Sequence, residues 1–307
     1  FQLSQNENTI IFVLDAYDSQ YFSDFIAAHP EYQETLWSDF VFYPNTVGGG
    51  IRTTLAMPQI LTGQYYTSET SYPEYLETAY QATSVYRAFH KAGYNIGIYT
   101  EGNFMSPSMS NLIMNLYAGR KPVSSYPTLA YYLYRLTACR YLPHELKKAV
   151  WMYSGDFDAA TDTSGGEQSP YLIDDALFYK NLVEDGLTLQ EENAFRLYHL
   201  FGTHQAYTLN AQAQRNLDGT SLEEQQIGVM RILETYFDQM KQLGIYDNSN
   251  IMILADHGEL DRAQNPLLMV KKGQEIKGFQ TSDLPVSYIN LHPTWLATLN
   301  KGTQAIV

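Results

Sequence analysis

Apolar runs about six residues long punctuate the chain, each closed by a polar residue. Thr9-Ile-Ile-Phe-Val-Leu14 is β-branched and apolar throughout and ends at Asp15; Asn250-Ile-Met-Ile-Leu-Ala255 repeats the pattern and ends at Asp256. Unbroken runs of this length mark strands buried on both faces, as in a parallel sheet covered by helices. Phe40–Tyr43, Tyr94–Tyr99, Ala194–Phe201 and Pro266–Val270 read as further strands. Between them the spacing turns helical: Asp18 to Glu34, Leu55 to Leu61, residues 79 to 92 with Gly93 as the stop, Leu112 to Tyr117, Leu129 to Leu142, and Pro285 towards Leu299. The longest helical pattern, 221 to 243, opens on a capping box, Ser221 with Glu224 three residues on. Strands alternating with helices predict an α/β fold, a doubly wound, mostly parallel sheet flanked by helices. Residues 1–307 read as one domain, with the segment 154–169 a mobile loop or insertion rather than a linker.

Composition narrows the partners. Hydrophobic residues at 45% supply a core, and 26 Tyr with 14 Phe make much of it aromatic. With 19 Lys and Arg against 33 Asp and Glu the net charge is −14, which argues against a grip on nucleic acid phosphates. The single cysteine, Cys139, excludes an internal disulfide and a thiolate zinc site. No apolar run reaches the 18 residues that a membrane span needs. Because the chain starts at Phe1, we expect an excised segment whose anchor lay upstream.

Candidate chemistry collects where the predicted strands end, the edge at which doubly wound sheets bind ligands. Asp15, His204 and the pair Asp256-His257 follow three of the strands, and Thr53-Thr54 opens a helix behind Gly48-Gly49-Gly50. Two carboxylates and imidazole suit one divalent cation: zinc, manganese or magnesium. A hydroxyl beside it, at a helix start whose amides are free, can serve as an activated nucleophile towards a phosphoryl group. Pro58 is expected within the first helical turn, where its missing amide hydrogen is harmless. Each residue alone has a plainer use, Asp15 or either threonine as a helix cap and Asp256-His257-Gly258 as a turn. Their joint occurrence in this order carries the reading. Asp18 is expected to cap the helix after it, and His29, His90, His144 and His292 to be structural.

The string Thr53-Thr-Leu-Ala-Met-Pro58-Gln-Ile-Leu-Thr62-Gly63 resembles the nucleophile segment of the sulfatase-like branch of the alkaline phosphatase superfamily, in which Thr-Gly follows the nucleophile by nine and ten residues. That spacing selects Thr53 over Thr54. Val13-Leu-Asp15 and Ile253-Leu-Ala-Asp256-His257-Gly258-Glu259 resemble the family's two metal motifs, and His199-Leu-Phe-Gly-Thr-His204 its substrate-side histidine. Pro266–Val270 and Pro285–Thr294 resemble the closing strand and helix, so the matches run in order from residue 9 to 299. Sulfatases proper carry a cysteine or serine converted to formylglycine; here Thr53 stands in that place. A threonine nucleophile resembles lipoteichoic acid synthases and phosphoethanolamine transferases.

The resemblance implies an alkaline-phosphatase-like fold and a ligand set of Asp15, Thr53, Asp256 and His257 around one divalent ion, zinc or manganese, with magnesium as the alternative. Met269 stands where phosphoethanolamine transferases place a further histidine, which argues against a second zinc. Thr100–Phe104 replaces the His-Gly-Asn of lipoteichoic acid synthases. The implied activity moves a phospho-alcohol headgroup from a phospholipid donor to an envelope polymer or lipid acceptor, through phospho-Thr53. His204 would bind phosphoryl oxygens or protonate the leaving group, with Arg52, Glu101 and Asn103 as substrate-binding candidates. The relatives imply the extracytoplasmic face of a bacterial membrane, with tethering, not surface charge, keeping so acidic a chain near lipid. The alternatives are a phosphodiesterase sharing the site and a catalytically silent domain that binds glycans or a protein.

Overall fold

The computed structural model describes residues 1–116, 123–152, 160, 171–259, 264–273 and 278–299. The strands are β1 (Gln2–Ser4), β2 (Asn8–Leu14), β3 (Val41–Phe42), β4 (Thr46–Val47), β5 (Tyr94–Tyr99), β6 (Thr188–Gln190), β7 (Asn193–Leu200), β8 (Asn250–Leu254), β9 (Leu268–Lys271), β10 (Gln280–Thr281) and β11 (Val286–Ser287). Seven of them form one sheet in the order β10-β3-β9-β8-β2-β7-β5, and β1-β6 and β11-β4 are separate pairs. The four central strands β8, β2, β7 and β5 run parallel; β9 is antiparallel to both β8 and β3. All seven residues of β2 are buried, as its unbroken apolar sequence requires of a central strand.

The helices are α1 (Ser19–Ala28), α2 (Glu31–Glu34), α3 (Thr53–Thr62), α4 (Tyr72–Ala82), α5 (Val85–Lys91), α6 (Tyr126–Tyr141), α7 (His144–Val150), α8 (Asp175–Asp185), α9 (Leu222–Gln242) and α10 (Leu291–Leu299). Several depart from the sequence pattern for local reasons. Pro30 breaks the expected 18–34 helix into α1 and α2. The 79–92 pattern is two helices, because Thr83 is extended between them. Residues 112–116 are not helical; Ile113 bridges to Ile96 of β5 instead. Pro58 lies inside α3, in its second turn rather than its first, so the Thr54 carbonyl forgoes the usual helical bond. The last helix is preceded by β11 and a 3₁₀ turn, Tyr288–Asn290. The 154–169 loop falls outside the described residues except for Ala160.

The chain divides into two compact units, one of Phe1–Leu116 with Ile173–Val307 and one of Tyr117–Leu172. The first holds the sheet. On one side of it Phe12, Tyr198 and Tyr236 pack edge to face or tilted, with Phe12 and Tyr236 at 5.0 Å and 89°. α9 supplies Tyr236 along a buried stripe and is capped by Ser221, whose Oγ accepts the Glu224 amide at 3.1 Å. Met269 of β9 is wholly buried in the sheet, a core residue. Among the described residues no helix is long and apolar enough to cross a membrane.

Candidate active site

Strand register assembles the site. Leu14 lies opposite Leu200 and Val13 opposite Leu254, so the residues just past β2, β7 and β8 share one edge of the sheet. Asp15 and Asp256 therefore leave the sheet side by side, and His199, the penultimate residue of β7, stands next to them. Each of Asp15, His199 and Asp256 is buried and offers a ligand atom within 4.8 Å of the others, a candidate metal site.

The backbone around Asp15 is tightly fixed. Its amide donates to the Leu200 carbonyl at 3.1 Å and its carbonyl accepts the Thr203 amide at 3.0 Å. Gly202 crosses at φ +60°, where a Cβ would stand 2.7 Å from the Asp15 nitrogen, so only glycine fits both the conformation and the space. Asp256 is held through Oδ1, which accepts the Ala16 amide at 3.0 Å and the His257 amide at 2.8 Å. Its Oδ2 is buried and has no hydrogen-bond donor among the described residues.

Thr53 is the first residue of α3, presented by a helix start that lies against the glycine run. A Cβ on Gly49 would fall 2.3 Å from the Gln59 amide oxygen, so any larger residue there requires the Gln59 side chain to move. Thr53 Oγ1 lies 3.3 and 3.4 Å from the two Asp15 carboxylate oxygens and 3.4 Å from His257 Nε2. His257 Nε2 in turn lies 3.6 Å from Asp15 Oδ1 and 3.6 Å from Asp256 Oδ2. The other ring nitrogen, Nδ1, donates to the Gly258 carbonyl at 2.7 Å, which leaves the Nε2 lone pair facing the carboxylates.

This donor set fits a divalent cation. Carboxylate oxygens, an imidazole lone pair and a hydroxyl converge at separations of 3.3–3.6 Å, the spacing of oxygen and nitrogen ligands that share one ion at about 2.0–2.2 Å. Acceptors turned on one point repel unless a cation or proton stands between them. Asp256 shows the strain: burial first, then the nearby charge of Asp15, pushes its carboxyl up to about 6. Burial acts on Asp15 in the same sense, but the hydrogen bond and charge of His199, with His204 and His257, hold it below the ordinary carboxylate range. A metal-ligating role for Asp256 Oδ2 also accounts for its lack of a hydrogen-bond donor.

Four residues expected from the sequence, Asp15, Thr53, Asp256 and His257, are thus brought together. His199 was not among the candidates. Its signal was a histidine inside the otherwise buried run Phe195-Arg-Leu-Tyr-His-Leu200, and the structure gives its Nδ1 a 2.9 Å contact with Thr100 Oγ1 and its Nε2 a 3.8 Å approach to Asp15 Oδ2. His204 is half-buried, close enough for its charge to act on Asp15, and its Nδ1 faces the Gln205 carbonyl. Arg52 is exposed at the N-cap of α3 and makes no side-chain cap bond. Glu101 and Asn103 belong to the 3₁₀ turn that follows β5 and packs against α3, with Glu101 half-buried and Asn103 exposed. Asp18 caps α1, its Oδ1 accepting the Gln20 amide, and its Oδ2 accepts the Glu259 amide at 3.2 Å, tying α1 to the loop after Asp256. His292 ties α10 to α3 through the Ile60 carbonyl at 2.9 Å.

The chain aligns over 95–99% of its length with solved structures at low identity. Ps i-CgsB in complex with a k-i-k-neocarrahexaose matches at 14% identity and TM-score 0.56, covering 99% of this chain and 73% of that one. An alkaline phosphatase superfamily protein of Vibrio parahaemolyticus matches at 13% and 0.53, covering 97% and 67%. The phosphonate monoester hydrolase SpPMH of Silicibacter pomeroyi matches at 16% and 0.51, covering 96% and 73%. These likenesses establish the fold. No curated protein sequence matches the chain. The sulfatase family model matches residues 7–301, from the first central strand to the end of α10, and the chain therefore belongs to the sulfatase family.

Proposed function

We propose that this domain is a metal-dependent phosphotransferase that moves a phospho-alcohol headgroup from a phospholipid to an acceptor alcohol, with Thr53 as the nucleophile. The observation that carries the reading is the place of Thr53 Oγ1, at the first position of α3 and 3.3–3.4 Å from Asp15 and His257. Asp15, Asp256, His257 and Thr53 would hold one divalent ion, zinc or manganese, with His199 beside Asp15. When bound, such an ion supplies nucleophile activation and charge neutralisation.

The residues of the chain divide the remaining work. Thr53 Oγ attacks phosphorus and the bond to the lipid alcohol breaks, leaving phospho-Thr53; a second alcohol then attacks phosphorus and frees Thr53 Oγ. Asp15, the carboxylate nearest the Thr53 hydroxyl, takes its proton as Oγ attacks and returns it when the second alcohol frees Thr53 Oγ. His204 protonates the departing lipid oxygen and, in the second half, takes the proton of the entering alcohol. The amides at the start of α3 face the incoming anion. Arg52 clamps phosphoryl oxygens, and Glu101 and Asn103 line the headgroup or acceptor pocket.

A threonine at this position supports phosphoryl rather than sulfuryl chemistry, because it cannot become formylglycine. A hydrolase differs only in that water enters second, and the likeness to a phosphonate monoester hydrolase keeps it the second reading. Products formed from a headgroup-labelled phospholipid, with and without added glycerol or ethanolamine, separate the two. Transfer to the alcohol supports the proposal; free phospho-alcohol in both mixtures assigns hydrolysis. Loss of neither label nor lipid, with no bound metal, would leave a silent binding domain.

A further inference from the structure

Helix α6 keeps large apolar side chains in water. Tyr126, Leu133, Tyr134 and Tyr141 are spaced by seven, one and seven residues, the register of a single helical face. Such a stripe ordinarily faces a core. Here those side chains are 74%, 49%, 66% and 77% exposed, and no residue of the 16 in α6 is buried. The half-buried side of the helix carries Thr128, Leu129, Tyr132, Arg135, Ala138 and Cys139, and Tyr131 and Leu136 add to the exposed apolar surface at 56% and 49%. α6 packs on α7, and the Arg135 guanidinium donates to the Trp151 carbonyl, closing the pair into a hairpin within its own unit. The packing between the two helices therefore does not consume the aromatic face.

Charge says what covers it. Residues 126–151 hold Arg135, Arg140, Lys147 and Lys148 but only one carboxylate, Glu145, so the hairpin carries +3 in a chain that carries −14. Arg140 lies at the border of the aromatic stripe, over the Tyr141 ring at 6.0 Å. Tyrosine and tryptophan beside leucine and flanking cations are the composition of a helix that lies in a membrane interface, with rings at headgroup depth and cations on lipid phosphates. A fluid surface also suits a convex helix face. The rest of the chain carries a net −17 (−14 less the hairpin's +3), which is repelled on balance by an anionic bilayer.

We infer that the α6–α7 hairpin, Tyr126–Trp151, is a membrane-surface binding element that docks its Tyr-Leu face on an anionic lipid bilayer. The inference is independent of the chemistry at Thr53. It also changes the expectation drawn from net charge, since attraction is local to this segment even though the whole chain is acidic.

The test is co-sedimentation of the domain with phosphatidylcholine vesicles, with and without phosphatidylglycerol. Tryptophan emission is a second readout, because Trp37 and Trp295 are 0% and 1% exposed while Trp151 is 55% exposed and sits in the hairpin. The wild-type domain is expected to partition onto the phosphatidylglycerol vesicles, with a blue shift of emission, and to be released by salt. The Arg140→Glu/Lys148→Glu pair and the Leu133→Ser/Tyr134→Ser pair should each weaken partition by about tenfold or more. Thermal melting and turnover of a soluble phosphodiester should stay at wild-type values in both. Thr53→Ala should bind vesicles like the wild type, which separates this inference from the proposed reaction. Equal partition onto both vesicle types, no partition, or variants that bind like wild type would overturn it. Concentration-dependent self-association removed by the Leu133→Ser/Tyr134→Ser pair, without vesicle binding, would overturn it in favour of a second copy as the occupant.

Discussion

The edge of the central sheet and the α6–α7 hairpin use the same residue types in opposite ways. At the sheet edge, apolar strands are wholly covered and a few polar groups are forced together at their ends; Asp15, His199 and Asp256 are all buried there. In the hairpin, large aromatic and leucine side chains stay in contact with solvent, with the exposed cations Arg140 and Lys148 on the same two helices. Apolar spacing therefore shows that a face exists, not what it meets. Strand β2 meets β7 and β8 within the chain. The α6 residues are exposed, and the partner proposed for them is a lipid surface.

Substitutions should break the two regions differently. The largest effect is expected at the sheet edge: Thr53→Ala should lower turnover about a thousandfold or more while metal content and melting temperature hold, measured by headgroup release and elemental analysis. Next comes Gly202→Ala, which places a Cβ 2.7 Å from the Asp15 nitrogen at φ +60°. It should cost about 2 kcal/mol or more of stability in denaturant melts, and lower activity by displacing Asp15.

Asp175 at the start of α8 sharpens the contrast through pH. Its carboxylate accepts the Phe201 amide at 2.6 Å and the Gly202 amide at 3.0 Å, and so holds the loop that carries His204. Burial, working against those two bonds, pushes it up to about 7. A carboxyl raised in the fold stabilises it when protonated, so its contribution is complete below the unfolded value near 3.8 and is lost as pH rises through about 7. Stability should fall by about 2–4 kcal/mol between pH 5 and pH 8.5. In Asp175→Asn that part of the slope should vanish, and the variant should start about 1–2 kcal/mol lower at pH 5.5, because one backbone amide loses its acceptor. A wild-type slope that persists in the variant would remove Asp175 as its source.

Smaller effects follow. Ser221→Ala removes the α9 cap and should cost about 1 kcal/mol. Leu133→Ser in the hairpin should change stability by less than about 0.5 kcal/mol, because the side chain it removes is in contact with water. A cost near that of a core leucine would show that the α6 face is buried within the protein.

Much of the sheet edge was legible in the sequence because strand ends are punctuated. A run such as Ile10–Leu14 ends at one polar residue, and parallel topology then brings Asp15, Asp256 and the start of α3 to one edge. His199 escaped because it lies inside a strand, where a polar residue reads as an interruption; only the register Val13↔His199 shows that it reaches the site. Helix 79–92 was misjudged because Thr83-Ser84 interrupts the chain without proline or glycine. The short strands β4 and β11 were missed since two residues carry no periodicity, and their pairing is a long-range contact. Helix α8 was legible in principle, since Asp174 caps it by accepting the Leu177 amide at 3.1 Å and Phe178 and Leu182 repeat four residues apart. The exposed face of α6 was invisible in principle: spacing alone makes it identical to a core stripe.

The central claim, that Thr53 is the nucleophile of a metal-dependent phosphoryl transfer, is tested most directly by peptide mass spectrometry after acid quench of the domain with zinc or manganese and a phospholipid donor. The account predicts a phospho-alcohol adduct on Thr53 that disappears on addition of acceptor alcohol and never forms in Thr53→Ala. Continued turnover by Thr53→Ala, with no adduct on the wild-type residue, would contradict it.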